Sequence, residues 1–155
     1  MDDFNCWGGA FYKCIGEEGA CPLSLVLGVN KSAATEGMAA KMYRAARRIS
    51  ADYAGGEWLT FEVHLLDSED VARFAAPNLG GLFDCSNSAG GVVSCGALEL
   101  GIAATIEALG DIANKMNCVS DDAGMAAMQA LAALKKIIKH LPKESREALK
   151  LIGVD

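Results

Sequence analysis

One stretch constrains the fold of this chain more than any other: Tyr43-Arg44-Ala45-Ala46-Arg47-Arg48-Ile49-Ser50-Ala51-Asp52-Tyr53-Ala54-Gly55-Gly56-Glu57-Trp58. Met38, Met42, Ala45, Ile49 and Tyr53 recur at helical spacing and form one apolar stripe, while Lys41, Arg44, Arg47 and Arg48 lie off it. Ser32 suits the N-cap of this helix. Gly55-Gly56 reads as its stop, because glycine takes the left-handed C-cap conformation without a Cβ clash. Trp58 to Leu66 then alternates and is rich in aromatic and branched residues, the pattern of a strand. Tyr53 and Trp58 therefore fall where a helix meets a sheet, as core residues or as binding anchors.

Beyond this junction, Asp67-Ser68-Glu69-Asp70 supplies a polar turn, and Val71–Ala76 returns as a second strand stopped by Pro77. Leu82–Cys85 and Gly91–Val93 are further short strand candidates, which together suggest a small antiparallel meander. From Ser94 or Gly96 to Met116 the pattern is helical and apolar around most of its circumference, which predicts a central helix. Ser120 can cap another helix. Asp121 and Asp122 stand at its positive end and Lys135, Lys136, Lys139 and His140 at its negative end. Met125, Met128, Leu131, Leu134 and Ile138 form its apolar stripe, expected in the core, although methionines also make adaptable docking surfaces. Pro142 opens a last short helix through Leu151, ended by Gly153. The sequence thus predicts one α+β domain over 1–155, with a three- to four-stranded antiparallel sheet and about four helices. Residues 1–30 read as an irregular, cysteine-containing segment and 31–155 as the core.

Charge and composition narrow the function. A net charge of −6 with interspersed signs does not suit strong nucleic-acid binding, and the acidic doublets are too short for a mimic of DNA. The apolar runs are too short or interrupted to span a membrane. The acidic N-terminus lacks the basic start and apolar core of a signal peptide, so the chain is expected in the cytoplasm. Its six cysteines (Cys6, Cys14, Cys21, Cys85, Cys95 and Cys118) are then free thiols. No Cys-x-x-Cys pair exists and only His64 and His140 could assist, so neither a metal site nor a cofactor is expected. Glycine pairs such as Gly80-Gly81 are not followed by the Lys-Ser/Thr of a phosphate loop. Cys85 or Cys95 approaching His64 across a sheet would make a thiol nucleophile pair, but no third member is visible, and Ser94-Cys95-Gly96 lacks the flanks of a nucleophile elbow.

Read together, Tyr43–Trp58, Arg73-Phe74-Ala75-Ala76-Pro77 and Ser94–Ile102 resemble, in that order, the signatures of the ArdB/KlcA antirestriction proteins of plasmids, prophages and phages. In those proteins a helix runs through a Leu-Cys-x-x-Tyr-x-Gly-Gly-like segment into a Trp-x-Phe-Tyr strand; Ile49, Asp52-Tyr53, Gly55-Gly56, Trp58 and Phe61 occupy similar places. An aromatic strand ending in Ala-Pro follows, and then a Ser-Ala-Asp step into an apolar helix, matched at Ser94, Ala97 and Gly101-Ile102. Three departures stand out. Asp67–Asp70 replaces an Asn-Gly-Gly turn, the acidic residue of the third signature is missing, with Glu99 the nearest substitute, and the cysteine-bearing N-terminal third carries no matching signature.

The resemblance implies a non-enzymatic antagonist of host defence, carried by a mobile genetic element. It would act on a host defence complex, a type I restriction enzyme or similar, by protein–protein interaction as a monomer or homodimer. Exposed aromatics and arginines on a rigid scaffold are the usual anchors of such contacts, which nominates Arg44, Arg47, Arg48, Tyr53 and Trp58; Asp155 is nominated by the resemblance alone. An inhibitor of a CRISPR effector or other defence complex, a small thiol-dependent enzyme, and a homo-oligomeric structural protein are the competing expectations.

Overall fold

Alternation becomes strand pairing in the segment that begins at Trp58. A computed structural model describes residues 5–15, 38–51, 53, 58–66, 68–78, 82–86, 90–116 and 122–154. Strands β1 (Asn5–Trp7), β2 (Ala10–Cys14), β3 (Trp58–Leu65) and β4 (Val71–Pro77) form an antiparallel sheet in that order. β5 (Leu82–Ser86) and β6 (Val92–Gly96) form a separate hairpin. Helices α1 (Met38–Ile49), α2 (Ala97–Met116), α3 (Asp122–Ile138) and α4 (Lys143–Leu151) complete an α+β domain, as the sequence predicts.

The composition of the sheet differs from the expected meander. Two of its four strands, β1 at one edge and β2 beside it, come from the N-terminal segment read as irregular, and the two later strand candidates pair only with each other. The Trp7-Gly8-Gly9-Ala10 sequence explains the hairpin. Gly8 takes φ +64 at the first central position of a two-residue turn, where glycine is unstrained. The turn also docks on the connection between α3 and α4. Gly9 N–H donates to the His140 carbonyl at 2.8 Å, and a Cβ on Gly8 would lie 2.6 Å from the Pro142 nitrogen. Cys6 and Cys14 are exposed in this hairpin; Cys85 and Cys95 are buried in the other.

Central helix α2 packs against α1, α3 and β4. β4 is the edge of its sheet, and an open edge exposes unpaired backbone groups. Two residues of α2 close it. Gly101 has no side chain to hold helix and strand apart; a Cβ there would meet the Ala75 carbonyl oxygen and the Ala76 Cβ, each at 2.4 Å. One turn on, the buried Thr105 hydroxyl accepts from Ala75 N–H and donates to the Ala75 carbonyl, each at 3.1 Å. The hydroxyl thus takes the place of a neighbouring strand.

The N-terminus of α2 is held by a half-buried relay. The Glu99 carboxylate accepts from Gly96 N–H at 2.8 Å, the reach-back of a capping box. Its other oxygen accepts from Ser145 of α4 at 3.2 Å, and Ser145 accepts from the Trp7 indole at 3.3 Å. Three elements therefore meet at one carboxylate, and β1 joins them through Ser145.

Three boundaries and one face differ from expectation. α1 ends at Ile49 rather than at the glycine pair, because Ser50 turns away and donates to the Asp84 carbonyl at 2.8 Å. α2 begins at Ala97, and β6 extends through Ser94 and Cys95 to Gly96. Pro77 lies within β4, paired with Trp58, where the missing N–H is tolerated at an edge strand's end. α3 turns Ala127, Leu134, Ile137 and Ile138 into the core, leaving Met125 and Met128 exposed at 63% and 53%. Small alanines allow α3 close to the alanine-rich α2, whereas a stripe of methionines would hold it off. The glycine pair 55–56, the caps Ser32 and Ser120, and Asp67 lie outside the described residues.

Candidate partner-contact site

Among the nominated residues the aromatics and the arginines separate. Trp58 opens β3 and Tyr53 follows the turn after α1; both are buried, at 5% and 3% exposure. The Trp58 indole N–H donates to the Tyr53 hydroxyl, and their rings meet edge to face at 5.8 Å. Tyr43 packs on the other side of Trp58 at 5.5 Å. Such pairs stabilise by about 0.5–1.5 kcal/mol beyond area burial. Tyr53 and Trp58 are thus core residues locking helix to sheet, which corrects their nomination as anchors: their rings are spent on each other.

Arg44, Arg47 and Arg48 of α1 are exposed. Arg48 forms an ion pair with Glu107 of α2. Both partners are solvated, so the pair contributes about 0–1 kcal/mol and can be exchanged for a partner's carboxylate at little cost. Ile49 and Met42 anchor the opposite side of the helix in the core. The arginines therefore stand on a rigid support. Asp155 lies outside the described residues.

The sheet also assembles a charged cluster that the sequence did not reveal. Glu62 lies between His64 on its own strand, 2.7 Å away, and Arg73 of β4, 3.1 Å away. His64 in turn stacks on Phe11 of β2 at 5.4 Å. Burial opposes the Glu62 carboxylate, but hydrogen bonds from His64 and Arg73, with their charges, outweigh it and hold its pKa below the ordinary glutamate value. Two-residue spacing puts Glu62 and His64 on one strand face; bringing in Arg73 requires the register of β3 with β4.

A thiol pair with His64 would have to span two sheets. His64 belongs to the four-stranded sheet, whereas Cys85 and Cys95 lie in the β5–β6 hairpin. A hydrogen bond with Cys85, burial and the nearby Glu99 carboxylate push the Cys95 thiol far above the ordinary range. A nucleophilic cysteine requires the opposite shift. Among the described residues, no group of three or more His, Cys, Asp or Glu could hold a metal ion, and no helix is long and apolar enough to cross a membrane.

With this geometry in place, the fold can be compared with others. It matches a solved structure of the KlcA and ArdB proteins with a TM-score of 0.65, over 91% of this chain and 94% of that one, at 20% sequence identity. The chain has the KlcA/ArdB fold. No protein-family model and no curated protein matches it. The KlcA and ArdB proteins are described as active against type I DNA restriction systems in vivo but not in vitro. The likeness spans nearly the whole KlcA/ArdB chain.

Proposed function

We propose that the protein is an antirestriction factor that protects incoming DNA from type I restriction systems by contact with a host protein complex rather than by catalysis. The observation that carries this proposal is the near-complete correspondence of its fold with the KlcA/ArdB structure. Activity of those proteins in cells but not in purified assays is the behaviour of an interaction that needs a cellular component. The exposed Arg44, Arg47 and Arg48 supply a cationic contact surface on a helix fixed by its buried side.

The deciding experiment is phage plating or plasmid transfer with and without a type I system in the host, at confirmed expression of the protein. Protection confined to the restricting host is expected, and a protection factor of one refutes the proposal. Charge reversal at Arg44 and Arg47, both exposed, is expected to reduce protection without lowering the unfolding midpoint. Unaltered protection would remove α1 from the contact.

A further inference from the structure

The outward side of α3 is built in a way the fold itself does not require. Met125, Met128, Ala132, Lys135 and Lys139 follow one another at steps of three and four residues and are all exposed. They make one continuous stripe, methionine in its first half and lysine in its second. The core needs none of these side chains, because α3 is held by Ala127, Leu134, Ile137 and Ile138 on its other side.

Exposed methionines form a polarisable, adaptable apolar surface. The lysine half lies in a second basic part of an acidic chain, after α1: residues 135–155 hold six of its fourteen lysines and arginines but three of its twenty acidic residues. Lys136, beside the stripe, is occupied by Asp70 at 2.9 Å. This contact leaves Lys135 and Lys139 at the outer surface as the charges aligned with the methionines.

From this pattern of apolar and basic halves we infer that the α3 stripe is a docking surface for an amphipathic helical segment of a partner protein, apolar over Met125 and Met128 and acidic over Lys135 and Lys139. Helix-on-helix recognition of this kind uses anchors at the same three- and four-residue steps. The acidic end supplies orientation, since reversing the segment would set carboxylates over methionine and leucines over lysine. The stripe deepens the protein-contact reading of function by adding a second surface, with a stated partner chemistry, to the arginines of α1.

The test uses the full chain and a synthetic helical peptide of about 18 residues. One face carries leucines in its first half and glutamates in its second. Methionine-methyl NMR signals, assigned through Met125→Leu and Met128→Leu, report the contact. Saturable shifts of both methyl groups are expected. Met128→Glu should abolish binding, and Lys135→Glu with Lys139→Glu should weaken it at least about tenfold, with unfolding midpoints unchanged.

Equal binding by a scrambled peptide, or by one with lysine in place of glutamate, overturns the inference, as do shifts confined to other methionines. Sedimentation showing a dimer that Met128→Glu dissociates also overturns it, by assigning the stripe to a second copy. The plating assay separates the two proposals. If the wild type protects and Met128→Glu protects equally, the stripe is refuted as a functional surface and antirestriction activity stands. If the wild type does not protect, antirestriction activity fails, while the titration still decides what α3 binds.

Discussion

Two glycines of α2 invite the same substitution with opposite outcomes. Gly101 and Gly110 both lie within the helix, where alanine is favoured over glycine by about 1 kcal/mol. At Gly110 a new Cβ meets nothing within 4 Å. Gly110→Ala should therefore stabilise the protein by roughly 0.5–1 kcal/mol. At Gly101 the same atom would lie 2.4 Å from both the Ala75 oxygen and the Ala76 Cβ, and 2.6 Å from the Ala76 Cα. Ordinary carbon contacts are about 3.5–4.0 Å, so helix and strand must part by roughly 1 Å, which forfeits a quarter to a half of each dispersion contact across the seam.

That displacement also stretches the two 3.1 Å bonds between Thr105 and Ala75, which lie on the same side of the helix. Each lost bond costs about 1 kcal/mol, and more where the backbone group stays buried. Overpacking adds about 1–3 kcal/mol. After the gain in helix propensity, a net destabilisation of about 2–4 kcal/mol remains, equivalent to roughly 4–16 °C in Tm for a domain of this size. Urea unfolding followed by circular dichroism, with unchanged slope, measures both variants. A Gly101→Ala midpoint at or above the wild type would refute the claim that this glycine exists to admit β4. A fall in stability for Gly110→Ala would refute the assumption that helix propensity decides the open site.

Three further outcomes follow from the same contacts. Thr105→Val keeps the side-chain shape but removes both bonds to Ala75, and should cost about 1–3 kcal/mol in urea unfolding, with Thr105→Ser retaining most of it. Alkylation of the folded protein, mapped by peptide mass, should label Cys6 and Cys14 well before Cys85 and Cys95, whose burial excludes the reagent; early labelling of Cys95 would contradict its raised pKa. Glu62 keeps its charge in the fold at pH values where the unfolded chain takes up a proton. Its contribution should be complete above its ordinary pKa of 4.5 and decline as the pH falls through the lower folded value. The stability difference between wild type and Glu62→Gln should shrink over that acid range, and a difference that grows there would reverse the assigned sign.

Periodicity was sufficient for α1 and α2. Met42, Ala45 and Ile49 turn inward in α1 as their spacing predicts, and the apolar circumference of Ala97–Met116 does mark the central helix. The strands Trp58–Leu65 and Val71–Pro77 were legible from alternation, and Pro142 and Gly153 from backbone restriction. The N-terminal hairpin was not legible, since Asn5–Trp7 and Ala10–Cys14 are too short to carry a period and gain stability only by joining β3. The proposed contact surface was legible in part: spacing exposed the arginines of α1, whereas the burial of Tyr53 and Trp58 depends on how closely their elements approach.

Apart from the N-terminal hairpin, the amino-acid order alone therefore marked the helix and strand segments, because backbone preference and apolar period act over a few residues. Tertiary structure decided what those elements face. α3 illustrates the difference. By hydropathy its inward side should contain Met125 and Met128, but close packing against α2 selects alanine and turns the methionines to solvent. The Glu62–His64–Arg73 cluster and the closing of β4 by Gly101 and Thr105 likewise join residues distant in sequence. Such contacts are set by register and interatomic distance, quantities that do not exist until the chain is folded.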